Sequence, residues 1–223
     1  MTDGEQNMIS AALAGAKHYL EYGSGDSTRL AARTPTLSSI TSVESDPAFV
    51  SRELAGDPDI QSASQSGRLR FLMVDIGPTE SWGHPLDRSK AHLWPNYALG
   101  PYLHGYLPDL VFIDGRFRVA CGLVAALQAP EGTILIHDYP ERPEYHVLEQ
   151  FWKIEDRVAK LVKCRRQLQF DEAAARALLD IYLYCPADHK PEEPSGFAKF
   201  FAQFKPRRAR HSRTQTDVAT RVG

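Results

Sequence analysis

The chain has 223 residues, of which 43% are hydrophobic and 24% charged. That balance excludes wholesale disorder and fibrous architectures, and the length suits one α/β domain with a buried core. Net charge is −2 but unevenly spread: positions 190–223 hold eight Lys/Arg against three Asp/Glu, whereas positions 1–189 hold 18 against 25. The expected organisation is therefore a main domain over 1–189 and a basic tail over 190–223.

The opening residues MTDGEQNMIS lack the basic and apolar regions of a secretory signal, and no apolar run approaches the ~20 residues that cross a bilayer. Cys121, Cys164 and Cys185 are too few and too widely spaced for a disulfide framework or a clustered metal site. The expectation is a cytoplasmic protein with no membrane partner.

In chain order, Met8, Ala12, Leu13 and Ala16 recur at helical spacing and predict an opening helix. HYLEYGSG reads as a short strand ending in glycines, and DSTRLAAR as a helix with cap-forming residues at its start. SITSVESD is a second strand, followed through Asp46-Pro47 by the helix AFVSRELA, and RLRFLMVDIGP is a third strand stopped by Gly77-Pro78. The interval 77–108 has no clean period but holds two Trp, three Tyr and three His, so it reads as a structured cover over a ligand site. DLVFIDG and GTILIHDY are continuous apolar runs of the kind buried on both faces of a parallel sheet, with VACGLVAALQA as the crossover helix between them. HVLEQFWKIEDRVAKLV suggests another amphipathic helix. RRQLQF and DIYLYCP suggest late strands, with only a turn or two of helix in DEAAARALL. This alternation predicts a doubly wound α/β domain with helices on both faces of a mostly parallel sheet.

In such sheets ligands sit beyond the carboxyl ends of the strands, where strand order reverses. The residues placed there are Glu21, Gly23, Ser24 and Gly25, then Glu44, Asp75, Asp114, His137 and Asp138. Gly23 and Gly25 permit a tight turn and close backbone approach to a ligand. Glu44, 19 residues beyond Gly25, can accept hydrogen bonds from both hydroxyls of an adenosine ribose. Dinucleotide and S-adenosylmethionine sites share these features. The third small residue of the dinucleotide pattern G-x-G-x-x-G is replaced here by Thr28. Glu21 stands two residues before the first glycine, where a carboxylate repels a pyrophosphate but attracts an ammonium.

On these residues the sequence resembles the class I S-adenosylmethionine-dependent methyltransferases, whose first motif E/D-x-G-x-G-x-S/T is matched in register by EYGSGDS. The resemblance covers roughly residues 19–186, with VES, DLVFIDG and GTILIHDY at later strand ends. It implies a Rossmann-like, seven-stranded-type sheet and S-adenosyl-L-methionine as cofactor. It further implies that Glu21 and the Gly23–Gly25 backbone hold the amino-acid portion and that Glu44 holds the ribose. Asp75 falls at the adenine-contacting position, with Ile76 or Trp82 as a face for the ring, and Asp114 lies close to the methyl donor or acceptor.

Methyl transfer needs alignment and, for a hydroxyl acceptor, removal of a proton. Asp138 and His137 rank first for that role, and His84, in the aromatic cover with His104, ranks next. Catechol-type members hold Mg²⁺ between acids after the fourth and fifth strands. Here Tyr139 occupies the place of the third ligand, so no metal is expected. Arg116, Arg118 and Arg142 are candidates to clamp a carboxylate or phosphate on an acidic acceptor. The acceptor itself is expected to be a small or saccharide-like molecule, methylated on oxygen.

Beyond the linker signal Pro-Glu-Glu-Pro, the tail clusters Phe197, Phe200, Phe201 and Phe204 before KPRRARHSR. One helical face docking on the domain or a partner is favoured over nucleic-acid binding, and a homodimer stays open. A nicotinamide-dependent oxidoreductase and a non-catalytic methyltransferase-like binding protein are the competing readings.

Overall fold

In the computed structural model of the protein, the described residues are 1–103 and 105–189. The expectations for His104 and for the tail beyond residue 189 lie outside them. The apolar runs form the middle of a seven-stranded sheet: β1 His18–Tyr22, β2 Ser39–Glu44, β3 Leu69–Met73, β4 Leu110–Ile113, β5 Thr133–Ile136, β6 Trp152–Val158 and β7 Leu161–Arg166. Their order is β3-β2-β1-β4-β5-β7-β6. The first five strands are parallel, β7 runs antiparallel to β5, and β6 pairs antiparallel with β7. Chain order reverses between the neighbours β1 and β4, which opens the crevice where α/β sheets bind ligands.

The two-residue period of the strands splits the core into two layers. Leu20, Tyr22, Val111, Ile113, Ile134 and Ile136 face one side. There they meet α5 (Pro95–Leu103), α6 (Arg118–Gln128) and α7 (Glu172–Tyr182). Tyr19, Leu110, Phe112 and Leu135 face the other, against α1 (Asp3–Ala14), α2 (Asp26–Arg33) and α4 (Pro58–Gln65). A short helix, α3 (Pro47–Phe49), continues into a π-helical turn, Val50–Leu54, and Asp46 caps it as expected. By the same parity Glu21, two residues from Tyr19, points toward α2.

Three expectations from sequence are corrected. Residues 146–162 do not form one helix. A 3₁₀ segment over 143–150 precedes the hairpin β6–β7. Val147, Phe151, Ile154, Val158 and Leu161 happen to recur at helical spacing, and β6 is an exposed edge strand whose charges hide its alternation. RRQLQF only finishes β7 and enters a loop, and DIYLYCP is no strand: its first residues close the eleven-residue helix α7. Ala175, Leu179 and Tyr182 are the buried stripe that makes this segment helical. The cover over 77–108 is only half a cover. Trp94 is buried and its Nε1 donates to the Ile76 carbonyl at 2.9 Å, and α5 buries Tyr97, Ala98 and Pro101 in the core. Residues 77–90 alone remain as a loop above the strand ends.

Candidate active site

The glycine turn after β1 is closed by backbone and hydroxyl contacts. Gly23, at φ +90°, lies directly on Gly115 after β4: a β-carbon on either would stand within 3 Å of the other's backbone. The glycines of EYGSG and FIDG thus let the ends of β1 and β4 touch. Gly25 is different, because a β-carbon there would project into open space. All three amides of the turn are occupied. Gly23 N–H donates to the Val43 carbonyl at 2.9 Å, Ser24 N–H to Glu44 Oε2 at 3.2 Å, and Gly25 N–H to Thr28 Oγ1 at 2.8 Å. The Ser24 and Ser42 hydroxyls are 2.7 Å apart. Glu44 also accepts from the amides of Ser45 and Asp46 through Oε1, so its carboxylate is fixed beside the turn.

Glu21 is fully buried. Its carboxylate accepts from the hydroxyls of Tyr19, Ser27 and Thr28, the latter two in the first turn of α2. Burial raises its pKa, while the hydroxyls of Thr28, Ser42 and Ser27 work the other way. The expectation that Glu21 meets a ligand ammonium directly is corrected: it lies under the turn and ties it to the positive end of α2. Strand parity carried that signal.

Of the adenine-side candidates, Asp75 is at the mouth but engaged, accepting from Gly77 N–H at 2.9 Å and pairing with Lys90 at 3.3 Å. Ile76 is fully buried and offers no face to a ring. Trp82 stands 88% exposed on the loop, at φ +65°, and stacks on no ring among the described residues.

The ends of β4 and β5 bring Asp114, His137 and Asp138 together. His137 Nδ1 lies 3.2 Å from Asp114 Oδ1 and 3.4 Å from Asp138 Oδ1. Its Nε2 is buried without a hydrogen bond among the described residues, 3.5 Å from Glu5 Oε1 in the first turn of α1. Burial opposes a charged imidazole here, but Asp114, Asp138 and Glu5 outweigh it and raise the His137 pKa. Glu5 and Arg118 are the members not singled out for this cluster from sequence. Arg118, almost fully buried, donates to the carbonyls of Asp114, Gly115 and His137. It also lies 3.1 Å from Asp114 Oδ1 and 3.2 Å from Asp138 Oδ2. The expected clamp for an acceptor is instead an internal cation.

Asp114, His137 and Asp138 could each offer one ligand atom to a metal, all within 4.8 Å. Arg118 already supplies positive charge between the two carboxylates, so a divalent ion there would face a guanidinium. The donor set suits a salt network better than a metal. Asp188, from beyond α7, was also not foreseen. The residue before α6, Phe117, has no capping side chain, and Asp188 Oδ1 takes the Val119 N–H at 2.9 Å. Burial pushes the Asp188 carboxyl up to about 6.

A seven-stranded sheet in this order, a glycine turn on β1 and an acid after β2 define a class. The chain belongs to the class I S-adenosylmethionine-dependent methyltransferases. It is similar to a methyltransferase-like protein from Silicibacter pomeroyi DSS-3 at 31% identity, over 83% of this chain and 96% of that one, with a TM-score of 0.71. A Staphylococcus aureus protein described as a candidate caffeoyl-CoA O-methyltransferase shares the fold at 9% identity and a TM-score of 0.50, over 74% of this chain and 84% of that one. No protein-family model and no curated protein matches the chain. No helix among the described residues is long and apolar enough to cross a membrane.

Proposed function

We propose that the protein binds S-adenosyl-L-methionine over the glycine turn and methylates an oxygen of a small or saccharide-like acceptor. One observation carries the choice of cofactor. A turn that cradles a diphosphate presents free N–H groups, but the amides of Gly23, Ser24 and Gly25 are all engaged within the chain. With Glu44 beside them, the turn offers oxygen acceptors to a cationic ligand and little to a pyrophosphate. The open space above Gly25 gives the amino-acid portion its place, and Glu44 receives the ribose hydroxyls.

The cofactor supplies an electrophilic methyl group on a sulfonium; the chain has to align the acceptor and take its proton. Asp138 is the proton acceptor in this reading. His137, its pKa raised by its carboxylate neighbours, orients Asp114 and Asp138 through Nδ1. Arg118 holds the same two carboxylates from below.

Calorimetric titration with S-adenosylhomocysteine and with NAD tests the proposal. Binding of the former alone is expected, with a loss of about 10- to 100-fold in Glu44→Ala as the ribose acceptor disappears. Tight NAD binding with no response to S-adenosylhomocysteine would overturn it.

A further inference from the structure

We propose that the methyl acceptor carries an oxyanion, a carboxylate or phosphate group, that docks on Arg116 and His84 at the mouth of the site. The inference rests on the methyltransferase reading and adds the chemical class of the acceptor.

Arg116 follows Gly115 at the end of β4. Its backbone N–H donates to the Tyr97 hydroxyl at 3.3 Å, which fixes where the side chain starts. The guanidinium lies against His84, Nη1 to Nε2, at 2.5 Å. A guanidinium only donates, so His84 is the acceptor and carries its proton on Nδ1. Among the described residues the Arg116 Nε is buried with no hydrogen-bond partner. Among the described residues Arg116 forms no ion pair, whereas Arg118, two residues on, has both Asp114 and Asp138.

The local field is positive. Burial lowers the His84 pKa, and Arg116, Arg142 and Arg118 lower it further; Glu80, on the same loop, is the opposing charge. Burial likewise lowers the Arg116 pKa, followed by the charge of Arg118, with Asp188 acting weakly in return. A half-buried guanidinium against a neutral imidazole and a second cation is unfavourable by itself, because removing a charge from water needs an opposite charge in return. Among the described residues that charge is paired with Arg118 but not with Arg116. A half-buried planar guanidinium with no ion-pair partner among the described residues is the kind of group that takes an oxyanion.

The place also fits an acceptor. Gly83, between Trp82 and His84, packs between the ends of β2 and β4. A β-carbon on it would lie 3.7 Å from Ser45 Oγ and 3.9 Å from Arg116 Cγ. An anion held there sits at the 77–90 loop, next to Gly83 and His84.

The test uses inorganic phosphate as probe at constant ionic strength made up with chloride. The His84 side-chain signals are followed by ¹H–¹⁵N NMR, with and without saturating S-adenosylhomocysteine. A saturable phosphate response at His84 is expected, retained when S-adenosylhomocysteine is bound. Arg116→Gln should weaken it by about tenfold or more, and Arg165→Gln, on the exposed face of β7, should leave it unchanged. If Arg116→Gln does not fold, Arg116→Lys, which keeps the charge and loses the fork, should give an intermediate weakening. No saturable response at His84, or undiminished binding in both Arg116 variants, overturns the inference. Displacement of phosphate by S-adenosylhomocysteine also overturns it, by assigning the anion to the carboxylate of the cofactor. S-Adenosylhomocysteine binding without phosphate binding removes this inference alone. Phosphate binding without S-adenosylhomocysteine binding removes the methyltransferase reading beneath it.

Discussion

The two halves of the strand-end rim are held together by different kinds of contact. On the β1–β2 side the turn is set by close backbone packing and by hydroxyl and amide bonds among Glu21, Ser24, Ser27, Thr28 and Glu44. On the β4–β5 side the contacts are between charged side chains, Glu5, Asp114, Arg118, His137 and Asp138, drawn from four elements and partly open to water. The first half is held by backbone contact and by hydroxyl and amide donors around two carboxylates. The second is an electrostatic assembly that changes with protonation and with what approaches it. In the proposed reading the cofactor meets the first kind of surface and the acceptor the second.

The sharpest way to break the contrast is to add one methyl group on each side of the turn. Gly115→Ala puts a β-carbon over the Tyr97 hydroxyl and 2.9 Å from Gly23 N and Tyr22 C, where backbone cannot yield. A loss of about 3 kcal/mol in urea unfolding is expected. Gly25→Ala meets open space, so unfolding should move by only about 0.5 kcal/mol, while S-adenosylhomocysteine affinity falls more than about tenfold. Equal stability losses in the two variants would mean that Gly25 serves packing and not a ligand.

Arg118→Met tests the charged half. It removes the buried cation and leaves Asp114 and Asp138 facing each other, each with some access to solvent. Solvent screening reduces the cost below that of a sealed pair, and about 2 kcal/mol is expected from urea unfolding. Added Mg²⁺ should recover part of that stability in the variant and none in the wild type, because the guanidinium no longer occupies the place of a cation.

A smaller effect separates the halves by pH. The folded pKa of His137 is raised, so the stability it contributes is complete below about pH 6.5. It is lost as pH climbs through the raised folded value. Asp188 has the same sign at lower pH. With its carboxyl pushed up to about 6 from an ordinary 3.8, its contribution is present below about pH 4 and is lost by about pH 6. Denaturation midpoints measured from pH 4 to 9 should fall in two steps. His137→Gln should remove the upper one and Asp188→Asn the lower, since Asn can still accept from Val119 N–H. A profile unchanged by His137→Gln would show that the imidazole is not charged in the folded protein.

Much of this was legible because strand-end chemistry is local. EYGSGDS, VES, FIDG and the His137-Asp138 pair follow buried apolar runs, and the parallel sheet carries each to one rim. What was not legible depends on contacts distant in sequence. Glu5 reaches His137 from α1, Asp188 caps α6 from beyond α7, and Arg118 turns inward only because two acids flank it. Glu21 was readable in kind but placed on the wrong side of the turn, although its parity with Tyr19 shows which face it takes.

The β6–β7 hairpin was unreadable for a further reason, which leads to the smallest expected effect. Its two-residue turn, Ala159-Lys160, lacks the Asn-Gly or Asp-Gly pair that signals a hairpin. Ala159 nonetheless adopts φ +48°, a left-handed conformation that its β-carbon opposes by about 1 kcal/mol. Ala159→Gly relieves that strain and adds chain entropy to the unfolded state, which offsets part of the gain. A net stabilisation of about 0.5 kcal/mol should appear as a higher urea midpoint with an unchanged slope. Lys160 N–H also donates to Glu5 at 3.0 Å, and Glu5 faces His137. The turn therefore anchors the edge hairpin to the charged half of the rim. If the glycine loosens that anchor instead, the midpoint will fall and the upper step of the pH profile will shrink with it.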